Sequence, residues 1–534
     1  MPTPFSLSPA ETETLHNVAD EARRAGNVDE AQRLFDRILA RNPRHVGALH
    51  SYGVLAFESK QMESAQNWIE RAIEAQPNPA SYNLLCLIQI RLGAIPNAIH
   101  TAQRGLALQP DLPSLNYFLA LALQLQGHFK DAALAYRRVL ELEPNHQLAH
   151  GSLGVVVRSL GAMEDAERHL RRAIALNPTA LGARASLGTV LLAVGKYEEA
   201  WPYFEDRWAN MVDGQGRPAP ERPYVPLPQW RGENPGAARR ADGTPVRGPR
   251  LLVFHEQGFG DSLQFVRYLP LALAHFSQVG YICPQPLQPL YEQSFCQRWP
   301  GVVVLDNVEP KFDEWDWYCP LMSLPMAFGT RLDNIPEFTY LYADTVRADW
   351  WRARLVALPN PDLPRIGVVW AGGHSGFAED RVRSMEPALM APLLAMPHIR
   401  WISLQKTDDP AKHPAPAMEA CLINWMDEVA DFADTAALIE NLDLVISVDT
   451  SVAHLAAAMG KPVWLLNRFA GCWRWLLDRE DSPWYSSVRI FTQSQQGDWA
   501  DVLERIAAAL QQTFHSHGGR DDPRSLLLPV NRAP

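Results

Sequence analysis

The stretch LVISVDTSVAHLAAAMGKPVWLL runs from Leu444 to Leu466. It opens with an apolar run, Leu444 to Ser447, and turns through polar residues from Val448 to Ser451. A helix of small residues comes next, then Gly460-Lys461-Pro462 and a second apolar run. Continuous apolar runs bounded by turn signals suit strands covered on both faces, as in a parallel sheet flanked by helices. Asp449 stands where the helix N-cap belongs, with the N–H groups of Ser451 and its successors pointing out of that end, an arrangement that attracts anions. Thr450 and His454 are four apart and share a face of the first turns. A phosphorylated ligand is expected here.

The same alternation surrounds this stretch. Arg365 to Trp370 (RIGVVW) starts a block with strands predicted near 400–404, 421–424, 443–447 and 462–466 and a last helix from Ala500 to Phe514. An earlier block starts with Arg250 to His255 (RLLVFH), followed by EQGFGDS and an amphipathic helix. It continues with strands near 278–283 and 301–305, an apolar run at 315–321, and a charged helix near 345–358 that closes the lobe. Strand-helix alternation in two blocks predicts two doubly wound lobes, 250–360 and 361–514, with a cleft between them. The tail, 515–534, is expected to be disordered. Residues 212–249, rich in Pro, Gly and Arg, read as a linker or strap whose Trp230 docks on the next domain.

The first part of the chain is periodic. Prolines at 9, 43, 77, 110, 144 and 178 are spaced 34, 34, 33, 34 and 34 apart. A glycine column accompanies them (26, 93, 127, 161, 195, with Lys60 in the same slot), then an alanine column (31, 65, 98, 132, 166, 200). A small-residue column holds Ala19, Gly53, Cys86, Ala120, Gly154 and Gly188. Six units of this period predict a solenoid of helix pairs over residues 1–211. Cys86 fills a packing slot and needs no chemical role. Pro202, inside the second helix of the sixth unit, should kink or delay it.

The net charge of −11 argues against nucleic acid or an anionic membrane as the main partner. Six cysteines without C-x-x-C or zinc spacing fit reduced thiols. With no signal peptide and no apolar run of membrane-spanning length, a soluble, cytoplasmic protein is expected.

The columns resemble the tetratricopeptide repeat, which implies a groove for a protein or peptide, the blander reading being a spacer or oligomerisation arm. In the second part, GFGDS before a helix, RIGVVWAGG before a basic DRVRS, and SVDTSVAHLAAAMGKPV resemble bacterial heptosyltransferases and their relatives. These are GT-B glycosyltransferases that take a sugar from a nucleotide diphosphate. The resemblance covers about residues 250–514. It implies a tetratricopeptide α-solenoid followed by a two-lobed GT-B unit, with the Gly-Asp of the first lobe as base and the D-T-x-x-x-H helix holding the donor diphosphate. Pro270 lies further from Asp261 than the family's proline does, and the first lobe is short, so the acceptor site is rebuilt or shared with the repeats. Repeats joined to a GT-B unit are also similar in architecture to the O-linked N-acetylglucosamine transferases, which act on Ser and Thr of proteins.

Individual residues take roles accordingly. Asp261, after Gly260, is the expected base, the plain alternative being a helix cap; Glu256 and His255 are its substitutes. Asp449, Thr450, Ser451 and His454 form the donor cradle, with Asp449 kept off the phosphates by its charge and His454 alternatively a core histidine. Arg383 is the preferred phosphate ligand. Arg381 is secondary to it, and Lys406 and Gln405 end a strand on the same sheet edge. Asp408 and Asp409 read as a turn and not a metal site, and neither metal nor cofactor is expected beside the sugar nucleotide. Asp434 and Thr435 could cap a helix at 435–441 and line the nucleotide pocket. Trp473, Trp475 and Trp484 could stack on sugar or base, or form core. The competing class is a non-catalytic repeat scaffold whose GT-B unit binds a nucleotide or sugar, or merely packs.

Overall fold

The structure, a computed structural model, describes residues 9–210, 222–237, 248–306, 311–373 and 382–515. The tail after residue 515 lies outside them. The chain divides into two compact units, residues 1–183 and 184–534, so the division falls inside the sixth repeat.

The first unit is built of antiparallel helix pairs, among them α1 (Pro9–Arg24) and α2 (Val28–Leu39), and α3 (Val46–Glu58) and α4 (Met62–Ala75). The regular spacing of the columns has a direct cause. The small-residue column is where paired helices touch: a Cβ on Gly53 would stand 2.5 Å from the Ile69 side chain, and one on Gly154 would stand 2.6 Å from Leu170. Cys86 is fully buried in the same slot, and burial pushes its thiol up to about 12, which makes it inert. The glycine column ends each first helix in the left-handed region, with φ between 74° and 87°. Lys60, in the same slot, is forced to φ 61°.

The second unit takes the end of the repeat register into its own core. After α11 (Leu181–Ala193), α12 (Tyr197–Phe204) lasts only 8 residues, with Pro202 inside it, and tightens into a 3₁₀ turn over Glu205–Asn210. Trp201 donates from Nε1 to the carbonyl of Thr330 (2.7 Å), and the Tyr197 hydroxyl accepts from Trp484 Nε1 (3.0 Å). The strap anchors as expected. Trp230 is buried, its N–H donates to the Tyr318 carbonyl (2.8 Å), and its ring lies against His275, Phe276 and Phe328.

Two parallel sheets complete this unit. The first contains β1 (Arg250–Phe254), β2 (Gln278–Ile282), β3 (Val302–Leu305) and β4 (Trp317–Pro320) in the order β3-β2-β1-β4, with helix α13 (Phe259–Phe265) between β1 and β2. The second holds β5 (Arg365–Val369), β6 (Arg400–Ser403), β7 (Leu422–Ile423), β8 (Leu444–Val448), β9 (Val463–Asn467) and β10 (Val488–Thr492), in the order β10-β9-β8-β5-β6-β7. Counted from β5, that is the 3-2-1-4-5-6 order of a dinucleotide-type sheet, whose crevice opens beyond the carboxyl ends of the two strands flanking the reversal. Those are β1 and β4 in the first lobe, and β5 and β8 in the second.

Three details differ from the sequence reading. β10 went unseen because its short run, VRIFT, sits beside an aromatic-rich loop. The charged helix α14 (Thr345–Val356) packs on the second lobe and not the first: Arg347 pairs with Asp431 and Asp434, Trp351 stacks on Trp425, and Asn441 donates to the Ala348 carbonyl. The helix expected at 435–441 is α15 (Phe432–Glu440), capped by Asp431, which accepts from the Asp434 N–H (2.9 Å). Asp434 and Thr435 are therefore inside the helix. Their polar groups are engaged with Arg347 and the Asp431 carbonyl. Among the described residues no helix is long and apolar enough to cross a membrane.

Lys60→Gly should relieve left-handed strain of about 1–2 kcal/mol, partly offset by roughly 0.4–1 kcal/mol of added unfolded-chain entropy. The expected outcome is a severalfold slowing of amide hydrogen exchange in α3 and α4 of the full chain. Unchanged or faster exchange there would contradict the strain.

Candidate functional site

The carboxyl end of β1 leads into the turn His255-Glu256-Gln257-Gly258, and helix α13 starts at once. Glu256 is buried and gripped at both oxygens by Arg207, at 2.8 Å from Nε and 2.7 Å from Nη2. It also accepts the Met322 N–H at 2.9 Å, which ties the ends of β1 and β4 together. Burial alone would lower the Arg207 guanidinium, but Glu256 and Glu205 hold it above its ordinary value. With its carboxylate so engaged, Glu256 is a framework group and not a substitute base. Gln257 sits at φ 61°, a costly conformation for a side chain of its size.

Asp261 lies within α13, whose N-cap is Gly258, so the plain capping role differs from the one expected. From the third helical position its Oδ2 reaches back to accept the Gly258 N–H at 2.9 Å. Its other oxygen accepts from Arg474 Nη2 of the second lobe, in a pair whose side chains are 18% and 9% exposed. Arg474 also donates from Nε to Gln264 Oε1 and from Nη1 to Cys472 Sγ, and its guanidinium lies 4.6 Å from the Trp473 ring centroid. His255 is close enough to Asp261 for its charge to be felt, yet burial dominates and lowers the imidazole.

In the second lobe, the segment after β5 is pinned by Gln405, whose Oε1 accepts the N–H groups of Trp370 (3.2 Å) and Ala371 (2.9 Å). That is a framework role. Arg383 packs beneath Gly372, where a Cβ would stand 2.5 Å from its Nε, and donates from Nη1 to the Asp449 carbonyl at 3.1 Å. Lys412 donates to the Gly372 carbonyl at 2.8 Å. Lys406 is exposed and donates to the Val429 carbonyl. Arg381 lies outside the described residues. Asp409 caps the turn Pro410–Lys412 by accepting the Ala411 N–H, as a turn reading requires.

At the end of β8, Thr450 and not Asp449 is the N-cap of α16 (Ser451–Ala458), with φ −138° and ψ 168°. The Thr450 hydroxyl meets Ser447 Oγ at 2.9 Å. The Asp449 carboxylate lies beside His454 of the first turns, whose Nε2 is 3.7 Å off. His454 is buried, stacked on Trp475 at 5.3 Å between centroids, with Nδ1 3.0 Å from the Tyr485 hydroxyl. Burial holds His454 below its ordinary value, which leaves the ring neutral near pH 7. Burial would raise the Asp449 carboxyl, but the His454 ring and the Arg383 and Arg474 charges outweigh it and hold it well below the usual range.

The two motifs meet. A Cβ on Gly260 would lie 3.0 Å from the His454 ring and 3.8 Å from the Ser451 Cα, so a side chain there would press on the ring and glycine eases the close approach of α13 and α16. Asp261, Gly260, Asp449, Ser451 and His454 thus gather at one junction, with Arg383 behind the Asp449 carbonyl. Trp473, Trp475 and Trp484 are buried core, the first beside Trp201, Phe204 and Phe265. Arg474, Gln264, Tyr485 and Arg207 were missed. The tryptophans around Arg474 drew attention in the sequence, but nothing local ties an arginine at 474 to an aspartate 213 residues earlier.

Parts of the chain are similar to known proteins. Residues 22–86 and 117–180 match models of the tetratricopeptide repeat, and residues 429–466 match the glycosyltransferase family 9 (heptosyltransferase) model. The last match holds α15, β8 and α16. Protein FlbA of Caulobacter vibrioides is 28% identical over 334 residues, 58% of this chain and 52% of FlbA. The chain therefore spans about half the length of that relative. Among solved structures, YrrB, titled a TPR protein with an unusual peptide-binding site, is 20% identical with a TM-score of 0.30 over 32% of this chain and 88% of its own. MamA from Desulfovibrio magneticus RS-1 is 15% identical, with a TM-score of 0.30 over 33% of this chain and 98% of its own.

Arg207→Ala should leave Glu256 as a buried charge without its partner and destabilise the second unit by about 3–5 kcal/mol. Urea unfolding monitored by tryptophan fluorescence reads this directly, since the buried tryptophans surround the site. A loss below about 1 kcal/mol would mean that the pair behaves as an exposed one.

Proposed function

We propose that the chain is an inverting glycosyltransferase, moving a sugar from a nucleotide-diphosphate donor to an acceptor hydroxyl. The observation that carries this reading is the meeting of Asp261 with the Asp449–His454 segment at Gly260, in a chain whose residues 429–466 match a glycosyltransferase family. The acceptor oxygen attacks the anomeric carbon and its proton passes to Asp261. The bond from that carbon to the diphosphate oxygen breaks, and the electron pair leaves on the nucleotide diphosphate. One base and one direct displacement invert the centre.

The leaving diphosphate gathers negative charge, which in this reading the N–H groups opening α16 and the Arg383 guanidinium stabilise. Asp449, kept ionised, serves a sugar hydroxyl better than a phosphate, and neutral His454 orients it. Thr450 contributes its backbone more than its hydroxyl, which Ser447 already engages. Gln405 gives its Oε1 to the β5 end and serves the framework, while exposed Lys406, bonded through one of its three donors to the Val429 carbonyl, remains a candidate for the donor cradle. The repeats supply a groove for a protein or peptide, as acceptor or recruiting partner.

The Asp261–Arg474 ion pair favours one competing reading, a GT-B unit that binds a nucleotide without catalysis. Slow hydrolysis of a sugar nucleotide in the absence of acceptor would separate an enzyme from such a scaffold.

Asp261→Asn should lower turnover by about 10²–10⁴-fold while donor binding survives; full turnover in the variant would remove Asp261 as the base. Arg383→Ala should weaken the donor by about 10- to 150-fold, as loss of one charge-assisted bond implies. Unchanged affinity by titration calorimetry would take Arg383 out of the site.

A further inference from the structure

Three facts about Arg474 converge. Its side chain is largely buried between the lobes, yet its carboxylate partner among the described residues is the one that would have to accept a proton. Its neighbour Trp475 stacks on His454 at 5.3 Å between centroids, so this segment lies beside the start of α16 as well as the start of α13, and the Arg474 charge is felt by Asp449. The backbone that delivers it is strained: after the turn Trp473–Trp475, Leu476 adopts φ 55° and ψ −165°, a region essentially reserved for glycine, and Asp478 comes shortly after at φ 52°. On the opposing lobe Gln257, at φ 61°, lies just before Asp261. Strain on both sides of one ion pair marks a contact held by its surroundings rather than by local preference.

The same junction carries buried polar atoms with no partner among the described residues. Gln264 is fully buried and its Oε1 holds Arg474, while its Nε2 has no acceptor. Trp475, stacked on His454, has a buried Nε1 without an acceptor. Both are donors, and unsatisfied buried donors are costly and uncommon. A cation and two idle donor nitrogens at one junction fit a ligand rich in acceptor oxygens.

We infer that Arg474 is an exchangeable cation. It holds Asp261 in the resting protein and transfers to the diphosphate when the donor arrives, which frees the carboxylate to take the acceptor's proton. This rests on the proposed glycosyltransferase reading and adds to it a positioning residue that makes the base available only in the donor complex. No covalent step is added. The guanidinium changes partners and keeps its protons.

Competition for one guanidinium has a consequence that a merely structural ion pair lacks. Removing the Asp261 charge should tighten the donor's product, because Arg474 no longer has to be taken from a partner. The test is titration of the full chain with UDP, GDP, ADP, CDP and dTDP, using whichever binds the native protein. Asp261→Asn should bind it roughly 5- to 100-fold more tightly, the range of ordinary site-to-site coupling. Arg474→Ala should bind it about tenfold or more weakly, with Arg474→Lys in between. In the double variant, Asp261→Asn should bring no gain, since relief of simple charge repulsion would persist there and exchange would not.

Equal or weaker binding by Asp261→Asn, or a gain that survives in the double variant, overturns the inference while leaving the proposed function standing. If none of the five binds the native chain, the proposed function fails and the inference with it. The Asp261→Asn measurement does not depend on how well the Arg474 variants fold.

Discussion

Asp261 and Arg474 come from different lobes, and both are mostly removed from water, so neither can be left without the other at small cost. That constraint reaches outward in both directions. On the first lobe, the Gly258 N–H fixes one oxygen of Asp261, strained Gln257 precedes it, and Glu256 is clamped by Arg207 and by the end of β4. On the second, Arg474 is held by Gln264, Cys472 and the Trp473 ring, with Leu476 bent into a conformation it would not choose. The lobes are joined again by Arg267, buried and donating to the carbonyl of Trp484 at 2.7 Å and to the Tyr340 hydroxyl at 3.1 Å. The candidate base, the strand switch points and the interlobe contact are therefore one connected object.

The last helix of the repeat register belongs to that object as well. Tyr197, Trp201 and Phe204 on α12 form an aromatic core with Trp473 and Trp484, and Arg207 comes one turn later. Pro202 explains how a repeat helix could change roles. It shortens α12, and the chain from Glu205 tightens into a 3₁₀ turn that sets Arg207 against Glu256. The tryptophans that invited a sugar-stacking reading are the packing that fixes Arg474.

The sequence made some features legible and hid others for physical reasons. Repeat columns are legible because each reports one local need: a left-handed turn, a close helix contact, a helix stop. The parallel strands are legible because burial on both faces writes continuous apolar runs, and the strand order then places the turns at 255–261 and 449–454 at the switch points. Long-range partnerships leave no such mark. Gln405 at a strand end reads as a ligand residue until its amide is seen bonded to the backbone of Trp370 and Ala371. Asp449 reads as a helix cap until Thr450 is found in that place and the carboxylate beside His454. Arg474 had no pattern to belong to, since its meaning comes from a residue 213 positions away.

In the proposed reading a nucleotide diphosphate binds where the two lobes' helix ends meet. Hydrogen–deuterium exchange of the full chain, with and without saturating UDP, GDP, ADP, CDP or dTDP, tests it most directly. At least one of them should slow exchange together in residues 255–265, 449–458 and 472–476. Protection confined to other segments, or none with any of the five, would contradict it.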